Sequence, residues 1–489
     1  MSITQALSNA TSGLSAASRR AGVTSNNIAN ALTEGYSRRD VELAERVTAG
    51  VGAGVLVSGI SRAQDPAITY ERRLADNTFA RDDALATAHN EVAQLIGSPG
   101  DPFALFERYA AFEQSLQTLA DAPGNAASQL AVVNAANELT NNFARIAEGY
   151  QSIRERADSE IATQVNAINQ ALQSIEELNT AIGSGGANGT DVNALIDQRA
   201  RLIDQVNEQI PVRELQRSAG QIDLITPEGV FLIAGEAKSL SFSPSPIITA
   251  QSGYNNGAGA LSGLSVDGVD ITPGGPSTQG LQSGALSAQF AIRDTVIPEA
   301  ATALDALALD LADRFSDPAL DSTLPAGAPG LFTDNGALAD ITNLTGLAGR
   351  LQINASVDPS VGGAPSRLRD GLGAITLGPA GNDSFVRSLI DALGTSRTTN
   401  AGLQAGSELN ASEAAAHIAS LAGSARSIAL ARADVSATFA QTLNDREIAV
   451  TGVDTDAELQ KLLQIEQAYA ANARVIETVD RLLQRLLEI

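Results

Sequence analysis

Two adjacent carboxylate pairs, Asp82–Asp83 and Glu176–Glu177, and two histidines, His89 and His417, are the side chains with the types needed to move protons. Paired carboxylates do general acid–base work only when they converge on one reacting atom. Both pairs fall in helix-periodic segments, where sequence neighbours point about 100° apart, so they read as solvated faces. His89 stands two residues before Glu91 and diverges from it for the same reason. His417 follows Ala414, Ala415 and Ala416 and has no acidic neighbour in sequence. With two histidines and no cysteine, disulfides and thiolate sites are excluded, and a multi-histidine metal centre is not expected. Gly50, Gly52, Gly54 and Gly59 lack the spacing of a phosphate-binding loop, and no Gly-Lys-Ser/Thr follows them. HExxH, GxSxG and CxxC are absent. These residues predict no catalytic site, no cofactor and no metal, and hence a protein that is not an enzyme.

The 489 residues suffice for two to four domains at roughly 100–200 residues each. Hydrophobic residues are 44% of the chain but aromatics only 4%, so the core must be built from Ala, Leu, Ile and Val, which suits closely packed helices. The net charge of −24 repels nucleic acid and anionic lipid. Lys238 and Lys461 are the only lysines, and Arg38–Arg39 and Arg72–Arg73 are isolated basic pairs. No stretch approaches the roughly 18 consecutive apolar residues of a membrane span. The start, Met1-Ser2-Ile3-Thr4-Gln5, shows neither the basic nor the apolar region of a cleavable secretory signal. Neither nucleic-acid binding nor membrane insertion is expected.

The strongest patterns lie at the ends. Ile3, Leu7, Ala10, Leu14, Ala17, Ala21, Thr24, Ile28 and Ala31 recur at alternating spacings of four and three, a coiled-coil seam of mostly small residues. Leu462, Ile465, Tyr469, Asn472, Ile476, Val479, Leu483 and Leu486 form a matching stripe, with Asn472 its one polar member. Two readings are open. These are the end helices of an ordinary bundle, or they pair with each other and with neighbouring copies.

Between the ends, the glycines from Gly50 to Gly59 punctuate Val51, Val55, Val57 and Ile60, as in a hairpin. Helices are predicted over about 66–96, 103–119, 126–182, 192–209, 288–315 and 411–449. The long stripe from Leu130 to Ile182 implies a coiled coil or long bundle. Residues 212–276 read as β, with the turn Thr226-Pro227-Glu228-Gly229 between two short apolar runs. Residues 316–400 are rich in Pro and Gly with little periodicity. The fold expected is mainly α with a smaller β portion: an elongated multidomain chain whose terminal helices pair, with a long helical bundle and β-hairpins between them. The predicted domains are 1–60 with 450–489 as a terminal coiled-coil domain, 61–316 with 401–449 as a helical domain carrying hairpins, and 317–400 as a small inserted module or loops.

Four stretches carry a family resemblance. Ser25-Asn26-Asn27-Ile28-Ala29-Asn30 followed by Glu34-Gly35-Tyr36-Ser37-Arg38 resembles the N-terminal signature of flagellar axial proteins, the rod, hook and hook-associated subunits. Gly54-Val55-Leu56-Val57-Ser58-Gly59-Ile60, Asn193-Ala194-Leu195-Ile196-Asp197-Gln198-Arg199, and Thr451-Gly452-Val453-Asp454 with Gln467-Ala468-Tyr469-Ala470-Ala471-Asn472-Ala473 are similar to elements of the hook–filament junction family. The C-terminal stretch departs from that family at Asp456-Ala457-Glu458, where paired acids are usual.

The resemblance implies a structural subunit of the bacterial flagellum joining hook to filament. It implies export by the flagellar type III apparatus with an uncleaved N-terminus, and an extracellular place in the flagellum. The partners implied are the hook protein, the second junction protein, other copies in a ring, and a cytoplasmic chaperone on the C-terminal helix. The assembly interface expected combines Ile3, Leu7, Leu14, Asn26, Asn27, Ile28, Asn30, Gly35 and Tyr36 with Leu462, Ile465, Tyr469, Asn472, Ile476, Val479, Leu483 and Leu486. The hook protein or a distal rod protein is the neighbouring alternative. An adhesin or signalling coiled coil could share the heptads but not both terminal motifs.

Overall fold

The computed structural model describes residues 3–48, 51–98, 100–188, 191–254, 260–398, 403 and 406–487. The chain opens with α1 (Ile3–Ala29), the antiparallel hairpin β1 (Arg39–Thr48) and β2 (Val51–Arg62), and the helices α2 (Pro66–Ile96), α3 (Leu105–Asp121), α4 (Ala126–Ala187) and α5 (Asn193–Gln209). Short strands follow: β3 (Arg213–Gln216), β4 (Ile222–Ile225), β5 (Phe231–Ala234), β6 (Glu236–Ala237), β7 (Leu240–Ser241), β8 (Gly253–Tyr254), β9 (Ala260–Leu261), β10 (Ser265–Val266) and β11 (Val269–Asp270). Then come α6 (Ala285–Ala291), α7 (Ile297–Phe315), β12 (Phe332–Asp334), β13 (Leu351–Ile353), α8 (Arg367–Asp370), α9 (Ser384–Gly394), β14 (Arg397–Thr398) and β15 (Glu408–Leu409). The last two helices are α10 (Ala411–Thr451) and α11 (Thr455–Leu487).

Local chemistry sets the helix starts. Asp65 Oδ1 accepts from the Ala67 N–H just before α2, whose first residue is Pro66, where a missing N–H leaves nothing unsatisfied. Asn410 and Glu413 cap each other at α10: the Glu413 N–H donates to Asn410 Oδ1, and the Asn410 N–H to Glu413 Oε2. The single helix predicted over 288–315 is instead two helices joined by a π-turn over Ile292–Val296. Pro298 has no N–H to give to the preceding turn, and the extra residue of a π-turn absorbs that gap.

The described residues divide into two compact units, 1–79 with 167–239 and 436–489, and 80–166 with 240–435. Three of the four divisions fall inside α2, α4 and α10, and the fourth falls between β6 and β7. In the first unit α1 packs along α11 and against the hairpin. The hairpin runs in register from Arg39 opposite Arg62 to Thr48 opposite Val51, with irregularities after Glu42 and Glu45. The four-stranded sheet β3-β4-β5-β6 buries Ile222, Leu224, Leu232 and Ile233.

The second unit has one large apolar core. Its centre is an aromatic trio: Phe112 of α3, Phe315 of α7 and Phe332 of β12 meet edge-to-face with ring centroids 5.3–6.0 Å apart. Residues 317–400, expected as a small inserted module or loops, contribute Phe332, Leu347, Leu351, Val357, Leu368, Val386 and Leu389 to this same core. Val386 and Leu389 lie at helical spacing on the short α9, while the others come singly from turns and from elements of three or four residues, too short to show a period. Arg314 is fully buried and binds this segment down, donating to Asp310 and to the carbonyls of Ala392, Thr395 and Leu409.

Burial pushes the carboxyls of Asp305 and Asp313 up from the ordinary 3.8 to about 6, for Asp305 against the pull of backbone N–H groups from Ala348 and Gly346. Both therefore bind a proton in the folded chain at a pH where the unfolded chain is ionised. Their stabilisation is full below about 3.8 and is lost as pH rises through about 6. Calorimetric unfolding of the chain should show a higher midpoint at pH 5 than at pH 7.5. Asp313→Asn should narrow that gap by about 2–4 °C, the size expected for a partly screened group in a unit of this length.

Candidate assembly site

The first and last helices meet through small residues. Ala10, Ala17 and Thr24 of the predicted seam are buried, as are Ala16 and Asn27 on the same helix. Gly13 sits so close to α11 that a Cβ there would lie 2.8 Å from Asn472 Oδ1. Ile3, Leu7, Leu14 and Ile28 are half-buried. On α11, Ile465 and Val479 are buried, and Leu462, Asn472 and Ile476 half-buried. Tyr469 and Leu483 instead face outward, 46% and 39% exposed. The side chain of Leu486 lies outside the described residues. Leu459, Leu463, Val475 and Leu482 add to the exposed apolar surface of α11.

Near the C-terminal end of α1 the contact becomes polar. Asn27 is fully buried and uses its whole hydrogen-bonding capacity. Its Nδ2 donates to the Arg39 carbonyl at 2.8 Å and to Glu458 Oε2 at 3.0 Å. Its Oδ1 accepts from the Tyr36 hydroxyl at 2.8 Å and from the Arg39 N–H at 3.0 Å. Glu458, 1% exposed, takes a second hydrogen bond at 2.7 Å from Lys461, one turn along α11, and Lys461 also reaches Asp40 at 3.0 Å. Burial opposes the charge on Lys461, but its bonds to Glu458 and Asp40 prevail and raise its pKa. Burial likewise raises the Tyr36 phenol, keeping it a hydrogen donor. Glu458 lies in the first turn of α11, where the helix dipole favours a negative charge, and Asp454 caps that turn through the Asp456 and Ala457 N–H groups.

The turn between α1 and the hairpin needs Gly35, whose φ of +72° is left-handed backbone. Asn26 and Asn30 are not in the buried cluster: Asn26 is exposed, and Asn30, just past the end of α1, donates from Nδ2 back to Asn26 Oδ1 at 2.7 Å. The Arg38 N–H then donates to the Thr451 carbonyl at 2.8 Å, tying this turn to the end of α10.

A second node continues from the first. Arg39 donates to Asp197 Oδ2 at 2.9 Å and Arg62 to Asp197 Oδ1 at 2.6 Å, so α5 clamps both strands of the hairpin at its open end. Asn193 Nδ2 donates to the Ile60 carbonyl. From the same helix Arg199 reaches Asn179 Oδ1 and the Gly220 carbonyl, joining α4 and the sheet. Arg39, Arg62, Asp197 and Glu458 carry no signal of this role in their local spacing. Asp197 stands inside a quoted motif, and Glu458 at the place where the chain departs from the family pattern.

His89 and His417 are not part of this cluster, and no group of three or more His, Cys, Asp or Glu side chains among the described residues is placed to hold a metal ion. No helix among them is long and apolar enough to cross a membrane.

Comparison with known proteins agrees with this layout. Residues 7–36 match the flagella basal body rod protein family, and residues 448–489 match the C-terminal family of flagellar basal body rod FlgEFG proteins. The two segments that meet at Asn27 and Glu458 are thus the ones that match families of flagellar rod proteins. Residues 90–319 match the helical domain of flagellar hook-associated protein FlgK. Flagellar hook-associated protein 1 of Bacillus subtilis is 24% identical over 98% of this chain and 97% of its own length. Its counterpart in Salmonella typhimurium is 28% identical over 63% of this chain, a match spanning 55% of that protein. The solved flagellar hook junction protein FlgK of Burkholderia pseudomallei aligns at 20% identity and a TM-score of 0.43, over 54% of this chain and 46% of that one. Over nearly its whole length the chain is similar to flagellar hook-associated protein 1.

Asn27→Ala would leave Glu458 Oε2 and the Arg39 backbone groups without their amide partner, and should weaken the α1–α11 pairing by about 1–3 kcal/mol. Hydrogen exchange of α1 and α11 should speed up accordingly. Asn27→Asp, the same shape with a charge facing Glu458, should have the larger effect at neutral pH.

Proposed function

We propose that this chain is a structural subunit at the junction of hook and filament, exported by the flagellar type III apparatus with its N-terminus uncleaved. It locks into the flagellum through its terminal helices. The contact between Asn27 and Glu458 carries this reading, because it makes the folded state of the first and last helices depend on both ends of one chain. A subunit that travels unfolded and orders on arrival is served by such a closure, since neither terminal helix can fix its register alone.

In this reading residues 1–60 and 450–489 form the inner domain of the assembled ring. Ile3, Leu7, Leu14, Ile28, Leu462, Ile465, Asn472, Ile476 and Val479 hold its two helices together. Tyr469, Leu483 and the further exposed apolar residues of α11 contact neighbouring subunits. The hook protein lies on one side and the second junction protein on the other. Before export, a cytoplasmic chaperone covers the same apolar face of α11. The protein performs no catalysis.

Deleting the gene should leave bare hooks, seen by electron microscopy, with flagellin shed into the medium as monomer. Missing hooks would move the protein down to the rod or hook, and normal filaments would refute the junction role. Ile476→Asp combined with Leu483→Asp should give a soluble monomer that is not incorporated and binds the chaperone weakly. Normal incorporation of that variant would dismiss α11 as the assembly surface.

A further inference from the structure

In the second unit, α10 packs its small side chains inward and leaves large ones outside. Between Leu421 and Val435 the buried residues are Ala422, Ala429 and Ala433, and the last two meet Ala86 of α2. Leu421, Ile428 and Val435 are 48%, 55% and 71% exposed. They recur every seven residues and so share one side of the helix. Single exposed leucines need no explanation, but this exchange of small for large does. Burial favours a side chain in proportion to its apolar area, so most of what this stretch could gain is unrealised in the single chain. Its charge is also unlike that of the chain as a whole. The chain carries −24, yet α10 has no acidic residue from Ala414 to Ala433. Arg432, one turn beyond Ile428, is exposed on the apolar side.

A complementary face lies beside α4 of the same unit. Arg154 donates to the Thr249 carbonyl, and Asp158 accepts from the Ser245 N–H. The loop between Ser245 and Thr249 is thereby held against α4, and its Ile247 is 72% exposed. Glu155 is exposed on the same stretch of α4. An aliphatic side chain beside an acid answers aliphatic side chains beside an arginine. The two faces also stand at similar heights along α2. Ala86 packs with Ala429 of α10, and Glu91 pairs with Arg156 of α4. Five residues of α2 separate these contacts, about 7–8 Å along its axis and about 140° around it.

We propose that the α10 face of one copy packs against the Ile247 face of a second copy. Leu421, Ile428 and Val435 surround Ile247, and Arg432 faces Glu155. Most other approaches between two such acidic chains are repulsive, whereas this one sets a cation against an acid. Because the two faces differ, the contact is head-to-tail, and repeated from copy to copy it generates a ring where the rotation closes. Similar heights along α2 let neighbours stand side by side with little axial step. A handful of side chains falls short of the roughly 800 Å² per partner that a stable free pair needs. The contact therefore forms where an assembly already holds copies close. For that assembly the inference rests on the junction reading.

The chain has no cysteine, so introduced thiols report only on their own contact. Ile247→Cys and Ile428→Cys are placed together in one full-length chain that replaces the native copy in cells. Isolated flagella are oxidised with copper phenanthroline and run on a non-reducing gel. A disulfide needs the two Cα atoms within about 7 Å. The double variant should give a ladder of dimers and higher multimers, and neither single variant should. A double variant that is incorporated yet stays monomeric overturns the proposal. A dimer from Ile428→Cys alone also overturns it, because it would pair α10 with α10. If the double variant is not incorporated, charge exchange decides. Arg432→Glu should lower the amount of the chain in isolated flagella by about three- to tenfold, as should Glu155→Arg, and the two together should restore it. Single variants without effect, or a combination that does not restore, overturn the proposal. Failure of the junction reading shows separately, as normal filaments in the strain lacking the gene.

Discussion

A buried carboxylate persists only where its oxygens are met by donors, and Glu458 is met by Asn27 from the opposite end of the chain. Apart from Asn27, the buried residues of α1 are small, Ala10, Ala16, Ala17 and Thr24. Such a surface lets two helices approach closely but discriminates poorly between registers, because sliding by one turn exchanges one small residue for another. The polar node removes that freedom. A one-turn slide would leave Glu458 buried without its amide partner and would strip Asn27 of one of its four hydrogen bonds. Alanine packing brings the helices together, and the amide–carboxylate contact selects how.

The same constraint spreads outward through Arg39. Its backbone completes the hydrogen bonding of Asn27, and its guanidinium turns to Asp197, over the Tyr36 ring at 5.0 Å. Asp197 also holds Arg62, so the hairpin is fixed at its open end where β1 begins and β2 finishes. Motifs that lie more than a hundred residues apart in sequence thereby become one hydrogen-bonded object. In the second unit, dispersion and edge-to-face aromatic packing around Phe112, Phe315 and Phe332 do the comparable organising work, and the fully buried Arg314 satisfies carbonyls that irregular segments would otherwise leave unpaired.

How much of this could be read in advance depended on whether the information was periodic. The long helices α2, α4 and α10 announce themselves through helix-length runs between Gly- and Pro-rich breaks, and their predicted bounds lie within a few residues of the observed ones. The π-turn at Ile292–Val296 was hidden because it changes hydrogen bonding without breaking the apolar stripe. Residues 317–400 were opaque because Phe332, from a three-residue strand, and Leu347 and Val357, from turns, enter the core one at a time. At the assembly site, the motif containing Asn27 stood out as a pattern, whereas nothing local marks Glu458, an acidic residue among others in the first turn of a helix.

Sequence by itself determined the mainly helical class, the heptads at both ends, the absence of cysteine chemistry and the family resemblance, because each is a property of residue type and spacing along one segment. Tertiary structure decided which seam residues are covered, with Ile465 and Val479 inward and Tyr469 and Leu483 outward. It also decided that Asn27 meets Glu458 and that Arg39 and Arg62 share Asp197. A residue's type states what it can donate or accept. Only the folded path of the backbone brings a partner 431 positions away to within 3.0 Å.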